Sequence, residues 1–231
     1  MTDAPHQRQI RSFVRRAGRQ TRAQDRALTE LWPRFGVPAP DPVGSPLLDL
    51  AVLFGRAAPC ILEIGFGNGD ALVRMAAEST DRNFLGVEVH APGVGHCLLA
   101  IERLGLTNVR LLMQDALEVL RDRLPDNSLL GVHLFFPDPW HKKRHHKRRL
   151  VRPDFVALLA ARLLPGGYFH VATDWPDYVT HIEAVIGENA AFQAVEMGTS
   201  QAAGGRPRTR FEARGERLGH PIWEAVYRRS F

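Results

Sequence analysis

From residue 60 onward, short apolar segments alternate with longer amphipathic segments, and this alternation restricts the fold more than any other feature of the chain. Strands are predicted over residues 60–64, 83–89, 109–113, 129–136 and 168–173, and helices over residues 70–78, 94–104, 116–124, 154–164 and 178–188. Two further strands, over residues 192–196 and 222–227, should form an antiparallel pair. Strands that alternate with helices predict βαβ units and a mostly parallel sheet with helices on both faces.

The composition supports one globular domain with an N-terminal extension. Of the 231 residues, 45% are hydrophobic and 24% are charged, which is ordinary for a globular protein. Residues 1–45 are rich in Arg, Gln and Pro and lack a sustained apolar period, so a flexible basic arm is predicted there and a single domain over residues 46–231. The sequence has no secretory signal and no segment apolar enough to span a bilayer, so we expect a cytoplasmic protein without a membrane partner.

Metal and redox chemistry have little support. Cys60 and Cys97 are far apart and no CxxC motif occurs, so neither a zinc site nor a redox pair is indicated. His141, His145 and His146 lie among Lys and Arg residues, whose charge opposes a cation. We expect no metal cofactor.

The turn after the first predicted strand contains three glycines, Gly65, Gly67 and Gly69. Glycines at this place allow a sharp turn and close approach to a ligand. A dinucleotide-binding turn would read GxGxxG and present a helix N-terminus to a pyrophosphate. Here the sixth position is Asp70, which repels phosphate, and Glu63 precedes the glycines. The pattern favours S-adenosylmethionine, whose tail carries an ammonium group, over NAD, although a plain N-cap role for Asp70 requires no ligand.

Four carboxylates are predicted at the ends of successive strands: Glu63, Glu88, Asp115 and Asp138. An acid after the second strand can accept hydrogen bonds from both ribose hydroxyls, and Asp115 can receive an adenine amine. Each acid alone is more often a helix cap or a solvated turn residue. Together they predict a class I S-adenosylmethionine-dependent methyltransferase, with a Rossmann-like sheet of seven strands.

A carboxylate between prolines is followed by a dense run of cations. Asp138 lies in Pro137-Asp138-Pro139-Trp140, where the prolines prevent regular structure. Six of the eight residues 142–149 are Lys or Arg, a cluster suited to a polyanion. Trp140 either stacks on a base or fills the edge of the sheet. This juxtaposition predicts chemistry on a nucleic acid.

With these residues in place, the chain resembles the bacterial tRNA (guanine-N7-)-methyltransferases, the TrmB family. The matching segments are LEIGFGNGD, FLGVEVHAPGVG, QDAL, FFPDPWHKKRHHKRRL, TDWPDY and TRFEARGERLGHPIWEAVYRR. The resemblance implies methylation of N7 of a guanosine in the tRNA variable loop, at position 46, with S-adenosyl-L-methionine as donor and S-adenosyl-L-homocysteine as product. It implies tRNA as the partner, and no obligatory protein partner is indicated.

The resemblance also implies roles for individual residues. Asp138 would be catalytic. The residues that would bind the cofactor are Glu63, Gly65, Gly67, Gly69, Glu88, Asp115 and Asp138. The residues that would contact the substrate are Lys142, Asp174, Thr209, Arg210, Phe211 and Glu212. The residues that would interact with RNA are Arg144, His145, His146, Lys147, Arg148 and Arg149. Separately from the resemblance, the Gly, Ala, Pro and Arg content of residues 198–208 predicts a mobile loop, and we expect it to close over the RNA.

Three other functions remain to be compared with this one. A dehydrogenase needs a phosphate-accepting turn, which Asp70 disfavours. A non-catalytic RNA-binding module does not explain four acids at strand ends. A methyltransferase acting on another RNA or on an amino group remains the alternative, because the xPPY-type motif of amino methyltransferases resembles PDPW.

Overall fold

The order of the strands positions the candidate site. The computed structural model describes residues 12–13, 18–40, 46–195, 207, 212 and 221–231. The strands are β1 Cys60–Ile64, β2 Asn83–Val87, β3 Val109–Leu112, β4 Leu129–Phe135, β5 Leu163–Thr173, β6 Phe192–Val195 and β7 Trp223–Arg229. They form a sheet in the order β3-β2-β1-β4-β5-β7-β6, in which β1 to β5 are parallel and β7 is antiparallel to β5 and β6. The predicted fold class is confirmed.

Helices cover both faces of this sheet. They are α1 Arg22–Glu30, α2 Trp32–Phe35, α3 Leu50–Phe54, α4 Asp70–Glu78, α5 Ala91–Leu104, α6 Ala116–Asp122, α7 Pro153–Arg162 and α8 Pro176–Gly187, with a 3₁₀ helix over Lys143–Arg148. One buried cluster joins α3, α6, α7 and α8 to the sheet, and a second joins α1, α2, α4 and α5 to the opposite face. No helix of the described residues is long and apolar enough to cross a membrane.

The neighbouring strands β1 and β4 define where a ligand can bind. They pair in parallel although β2 and β3 lie between them in the chain, because the strands before β4 extend from β1 to one side and those after it to the other. At such a point of reversal, the segments that leave the carboxyl ends of the two strands diverge and leave a crevice. The four predicted acids follow or end strands at this carboxyl edge.

The N-terminal region differs from the predicted flexible arm. Thr21 and Gln24 form a capping box that starts α1, with Gln24 N–H donating to Thr21 Oγ1 at 3.2 Å. Ala27 and Phe35 are buried, and Val37 N–H donates to the Leu111 carbonyl at 2.8 Å. Residues 21–37 therefore belong to the domain, and the boundary at residue 45 is wrong for this segment. Residues 1–11 and 14–17 of the predicted arm lie outside the described residues.

The junction of α7 and β5 also differs from the prediction. The helix ends at Arg162, and β5 begins at Leu163, which pairs with Leu129. The helix was predicted to extend to residue 164 and the strand to begin at residue 168, but Pro165, Gly166 and Gly167 form an irregular part of the strand, where the register between β4 and β5 shifts. Gly166 adopts φ +75°, which allows the strand to bend and continue rather than end.

Candidate functional site

The glycine turn forms the floor of the crevice. Gly65, Gly67 and Gly69 all adopt positive φ, between 58° and 79°, which is unfavourable for other residues. A Cβ added at Gly69 would lie 2.4 Å from Cys97 Sγ, so this glycine permits close packing against α5. A Cβ at Gly65 or Gly67 would meet no atom within 4 Å. The turn therefore presents bare backbone to open space, which is the surface that a close-fitting ligand requires.

Glu88 fixes this turn as well as facing the crevice. Its carboxylate accepts hydrogen bonds from the backbone N–H groups of Gly67 at 2.9 Å, Val89 at 2.7 Å and His90 at 3.0 Å. A carboxylate offers about four lone-pair positions, so one acceptor position is left for a ligand. The sequence predicted Glu88 at the site, but its contact with Gly67 was not predicted because it joins residues 21 positions apart.

Glu63 and Asp70 lie on opposite sides of the glycine turn. Glu63 is 3% exposed and pairs in register with Gly86 of β2 and His133 of β4. Burial raises the pKa of the Cys97 thiol beneath the turn, and the charges of Glu63 and Asp70 raise it further. Gly69, rather than Asp70, is the N-cap of α4. The N-cap interpretation of Asp70 is therefore wrong.

Asp115 lies at the start of α6 and stabilises that helix. It is the N-cap of α6, where its carboxylate accepts a hydrogen bond from Leu117 N–H at 2.9 Å. Its neighbours Gln114 and Ala116 line the crevice. The cap thus fixes Asp115 beside the crevice, and its contact with a cofactor stays a prediction.

Two adjoining cavities occupy the crevice and differ in character. The first, called here the apolar cavity, has a volume of about 170 Å³ and is lined by residues that include Val87, Val89, Ala116 and Leu134. The second, called the polar cavity, has a volume of about 450 Å³ and is lined by residues that include Glu63, Asn68, Asp70 and His90. Five residues line both cavities: Gly65, Glu88, Phe135, Phe136 and Asp138. The crevice therefore offers one apolar and one acidic compartment that meet at Asp138.

The segment that carries Asp138, residues 136–140, is conformationally strained. Phe136 adopts φ 53° and Trp140 adopts φ 48°, in a region that bulky residues seldom enter. Such residues cost about 1–3 kcal/mol each and occur mainly at functional sites, where surrounding contacts enforce them. Asp138 is exposed between them, and Pro137 and Pro139 restrict the backbone on both sides. This segment is called the Asp138 loop below.

Trp140 is held in place by protein contacts. Its indole N–H donates to the Ser12 carbonyl at 3.1 Å, and the Arg148 guanidinium lies 4.0 Å from its ring centroid. Arg148 also donates to the Phe13 carbonyl at 3.3 Å. These contacts favour the structural interpretation of Trp140 over base stacking. They also place Ser12 and Phe13 in the lining of the apolar cavity, which sequence reasoning missed because it assigned both to the flexible arm.

Residues 142–149, called the basic segment, follow the Asp138 loop and contain the 3₁₀ helix Lys143–Arg148. Four of its cations are exposed: Lys142, Lys143, Arg144 and Lys147. Partial desolvation, followed by the charges of neighbouring cations, lowers the pKa of His145, so its ring is neutral at pH 7. His145, His146 and Arg148 are half-buried. The exposed cations of the basic segment are therefore accessible to a polyanion.

Arg149 differs from the other cations of residues 144–149, whose contact with RNA stays a prediction. Its side chain is 2% exposed, and it donates to the Pro139 carbonyl at 2.9 Å and to the Asp177 carboxylate. Its guanidinium also lies 4.9 Å from the ring centroid of Tyr178. The Arg149 guanidinium is thus directed at protein acceptors rather than at the surface.

The remaining predicted substrate residues are only partly described. Asp174 follows β5, whose residue Ala172 pairs with Phe135 of β4, so Asp174 and Asp138 follow neighbouring strands at the same edge. Glu212 is described, whereas Thr209, Arg210, Phe211 and most of the predicted mobile loop over residues 198–208 lie outside the described residues.

The chemistry of the two cavities fits S-adenosylmethionine. Glu63 and Asp70 suit its ammonium-bearing end, and the apolar cavity suits its nucleoside. The open space above Gly65 and Gly67 admits the ligand close to the backbone. In the part of the chain that the structure describes, no three His, Cys, Asp or Glu side chains are grouped as metal ligands.

Comparison with known proteins assigns the chain to a family. Residues 57–225 match the family model described as "Putative methyltransferase". The chain is 54% identical over 228 residues to the tRNA (guanine-N(7)-)-methyltransferase of Alkalilimnicola ehrlichii, covering 98% of this chain and 95% of that protein. It is 52% identical to the protein of the same name from Nitrosococcus oceani, covering 96% and 92%. The chain belongs to the tRNA (guanine-N(7)-)-methyltransferase family.

Solved structures of low identity confirm the fold of this family member. The 16S rRNA methyltransferase KamB has a TM-score of 0.58 and 18% identity, covering 81% of this chain and 96% of that chain. A 16S rRNA (adenine(1408)-N(1))-methyltransferase with cosubstrate SAM, from Catenulisporales acidiphilia, has a TM-score of 0.52 and 16% identity, covering 81% and 95%. The likeness shows that this chain has the fold of these two methyltransferases.

Proposed function

We propose that this chain transfers a methyl group from S-adenosylmethionine to N7 of a guanosine in tRNA, at position 46 of the variable loop. The observation that carries the proposal is the strained Asp138 loop, which lies between an acid-lined crevice and an exposed cluster of cations. The names of relatives about half identical over nearly the whole chain support tRNA as the substrate and guanine N7 as the target atom.

The crevice residues would hold the methyl donor in one orientation. Glu63 and Asp70 would attract its ammonium group, the remaining acceptor position of Glu88 would take a ribose hydroxyl, and the apolar cavity would take the adenine. Asp115 would act by capping α6 and so fixing Gln114 and Ala116 in the cavity wall. The bound donor supplies an electrophilic methyl group on a sulfonium. The junction of the apolar and polar cavities would place this methyl group beside Asp138.

Methyl transfer to N7 requires orientation rather than proton removal. Guanine N7 carries a lone pair and no proton, so it can attack the methyl carbon directly while the carbon–sulfur bond breaks and its electron pair remains on sulfur. Positive charge then develops on the guanine ring. Asp138 would stabilise this charge and accept hydrogen bonds from the guanine N1–H and 2-amino group, with Asp174 on the other side of the base.

The basic segment would dock the tRNA backbone. Lys142, Lys143, Arg144 and Lys147 are exposed beside the Asp138 loop, where phosphate contacts would bring a base to the crevice. The target base has to be exposed from the folded RNA, because its N7 edge is otherwise enclosed in a deep groove. Binding through phosphates predicts a steep dependence of tRNA affinity on salt.

A labelling experiment tests the proposal. Unmodified tRNA is incubated with the protein and S-adenosylmethionine carrying a labelled methyl group, and the labelled nucleoside is identified by digestion and mass spectrometry. We expect 7-methylguanosine at position 46 of the variable loop, and its much slower formation with Asp138→Ala. Label on an exocyclic amino group would support the alternative amino methyltransferase, and absence of label in tRNA under conditions where the donor binds would contradict the proposed substrate.

A further inference from the structure

We propose that Arg149 is a positioning residue that sets the distance between the Asp138 loop and the start of α8. This inference rests on the proposed function, because the two segments that Arg149 connects carry Asp138 and Asp174. It assigns a different role to a cation that lies within a run of RNA-contacting cations. Arg149 would act through the loop and would touch neither the tRNA nor the methyl donor.

The contacts of Arg149 link two segments that follow neighbouring strands. Its Nε–H donates to the carbonyl of Pro139, the residue after Asp138, at 2.9 Å. Its terminal amino group donates to Asp177 in the first turn of α8 and to His146 Nε2 at 3.2 Å. Asp177 lies three residues after Asp174. The guanidinium therefore bridges the two backbone segments that present the two carboxylates.

The frame around the guanidinium is rigid. Tyr178 is fully buried, and its ring lies beneath the Arg149 guanidinium at 4.9 Å. The Tyr178 hydroxyl in turn accepts a hydrogen bond from Val151 N–H at 3.3 Å, which ties α8 to the chain that follows Arg149. A planar group enclosed in this way has few alternative orientations. It can therefore transmit the position of α8 to the Pro139 carbonyl.

The Asp138 loop requires such an external support. Phe136 and Trp140 both adopt positive φ, and neither conformation is favoured by the residue itself. Pro137 and Pro139 fix φ on both sides of Asp138, so the loop moves as a unit rather than residue by residue. The hydrogen bond to the Pro139 carbonyl thus restrains the part of the loop next to Asp138, in addition to the contacts that hold Trp140.

The burial of Arg149 is difficult to explain as surface recognition. A buried guanidinium loses its hydration and is tolerated only when its donors are bonded and its charge is paired. Asp177 supplies the charge, and the hydrogen bond from Arg149 is the largest cause that lowers the pKa of Asp177. Pro139 and His146 supply further acceptors. Arg149 is matched to this set of acceptors rather than to a phosphate.

The chain offers a closely matched control at the other end of the sheet. Arg162 is largely buried, pairs with the exposed Asp126, and donates to the backbone carbonyls of Leu120 and Arg121. It thus combines a carboxylate partner with backbone acceptors, as Arg149 does, but it lies at the amino ends of the strands. A purely structural role predicts that equivalent changes of Arg149 and Arg162 have equivalent effects.

The test compares Arg149→Lys with Arg162→Lys in single-turnover methyl transfer to tRNA, below the unfolding temperature of both variants. Lysine keeps the charge but cannot span both partners. We expect Arg149→Lys to lower the transfer rate roughly 10- to 100-fold, because small displacements of reacting groups have effects of this size. The Kd values for S-adenosylhomocysteine and tRNA should change little, and Arg162→Lys should lower the unfolding temperature without a comparable loss of rate. Equal losses of rate at equal losses of unfolding temperature would overturn the proposal.

A second variant and a second measurement distinguish failure of this inference from failure of the proposed function. Asp177→Asn, with Asp126→Asn as its control, should lower the rate in the same direction as Arg149→Lys but less. If the wild-type protein methylates no guanosine, the proposed function fails, and amide hydrogen exchange of residues 136–142 then decides the inference. Faster exchange in Arg149→Lys than in Arg162→Lys would support it, and unchanged exchange would contradict it.

Discussion

The two edges of the sheet use charged side chains in opposite ways. At the amino edge, Arg56 and Arg162 each donate to two backbone carbonyl oxygens. Their charge therefore stabilises the turn after α4 and the last turn of α6. At the carboxyl edge, Glu63, Asp70 and Asp138 line a crevice. The difference shows that charge at the amino edge serves the fold, whereas charge at the carboxyl edge is arranged around a space that a ligand can enter.

The backbone shows the same difference. Asn127 adopts φ 51° at the amino edge, and asparagine tolerates this conformation well. At the carboxyl edge the residues with similar φ are Phe136 and Trp140, which tolerate it poorly. Backbone strain therefore occurs in the Asp138 loop, which presents a carboxylate, and is small in the turn at Asn127.

The largest effect is expected for Asp138. Asp138→Ala should lower the rate of methyl transfer roughly 10²- to 10³-fold, the usual loss when a group that stabilises developing charge is removed. Asp126→Ala, which removes an exposed carboxylate from the amino edge, should leave the rate near that of wild type. Single-turnover kinetics with saturating tRNA measure both, and similar rates for the two variants would remove Asp138 from the mechanism.

Neutralising the basic segment should have the next largest effect. We expect the triple change of Lys142, Lys143 and Lys147 to Gln to weaken tRNA binding roughly 10- to 100-fold at low salt and to reduce the slope of log affinity against log salt by about 2 to 3. The control makes the same change of net charge away from the crevice, at Arg26, Arg74 and Arg103. Fluorescence anisotropy over a range of salt concentrations measures the slopes, and equal slopes for the two triple variants would refute docking through this segment.

The glycine turn should be more sensitive than a glycine elsewhere with a similar φ. Gly69→Ala combines positive φ with a clash against Cys97, and should cost roughly 2–3 kcal/mol of stability and weaken binding of S-adenosylhomocysteine. Gly105→Ala has positive φ but open space around it at the end of α5, and should cost about 1 kcal/mol and leave ligand binding unchanged. Urea unfolding and calorimetry measure the two properties.

A smaller effect concerns the buried middle of the sheet, between the two edges. Burial lowers the pKa of His133 well below its ordinary value of 6.5, with His170 as a further cause. The unfolded chain therefore binds a proton at this residue as the pH falls below about 6.5, whereas the folded chain does not, so acid destabilises the fold by up to about 1.4 kcal/mol per pH unit. His133→Gln should lack this contribution.

The stability difference between wild type and His133→Gln should accordingly be larger at pH 7 than at pH 5. Urea unfolding at the two pH values measures it. A difference that stays constant or grows toward pH 5 would show that His133 is protonated in the folded protein.

The sequence was sufficient for the order of strands and helices, because each element carries its own apolar pattern over a few residues. From β1 onward, the bounds of β1 and α4 agree with the prediction, and those of the later strands and helices differ by up to five residues. The acids at strand ends were predictable for the same reason, since a carboxylate after an apolar run marks where a strand leaves the core.

The sequence was insufficient where stability comes from distant contacts. The α1 helix has few apolar residues, and it packs on α5 where Gly95 allows the backbone of Gln24 to approach. Nothing local to α1 indicates this partner. In the same way, Arg149 could not be distinguished from the cations before it, because its burial depends on Asp177 and Tyr178 in another helix.

Titration of S-adenosylhomocysteine into the protein, followed by isothermal titration calorimetry, tests the central claim most directly. The account places the methyl donor at the carboxyl edge, and Glu88 both fixes the glycine turn there and faces the crevice. We expect saturable binding at one site per chain, weakened roughly tenfold or more by Glu88→Gln, since a hydrogen bond to a charged group contributes about 1.5–3 kcal/mol. Asp126→Asn at the amino edge should bind like wild type. Absence of heat, or equal affinity in wild type and Glu88→Gln, would contradict the account.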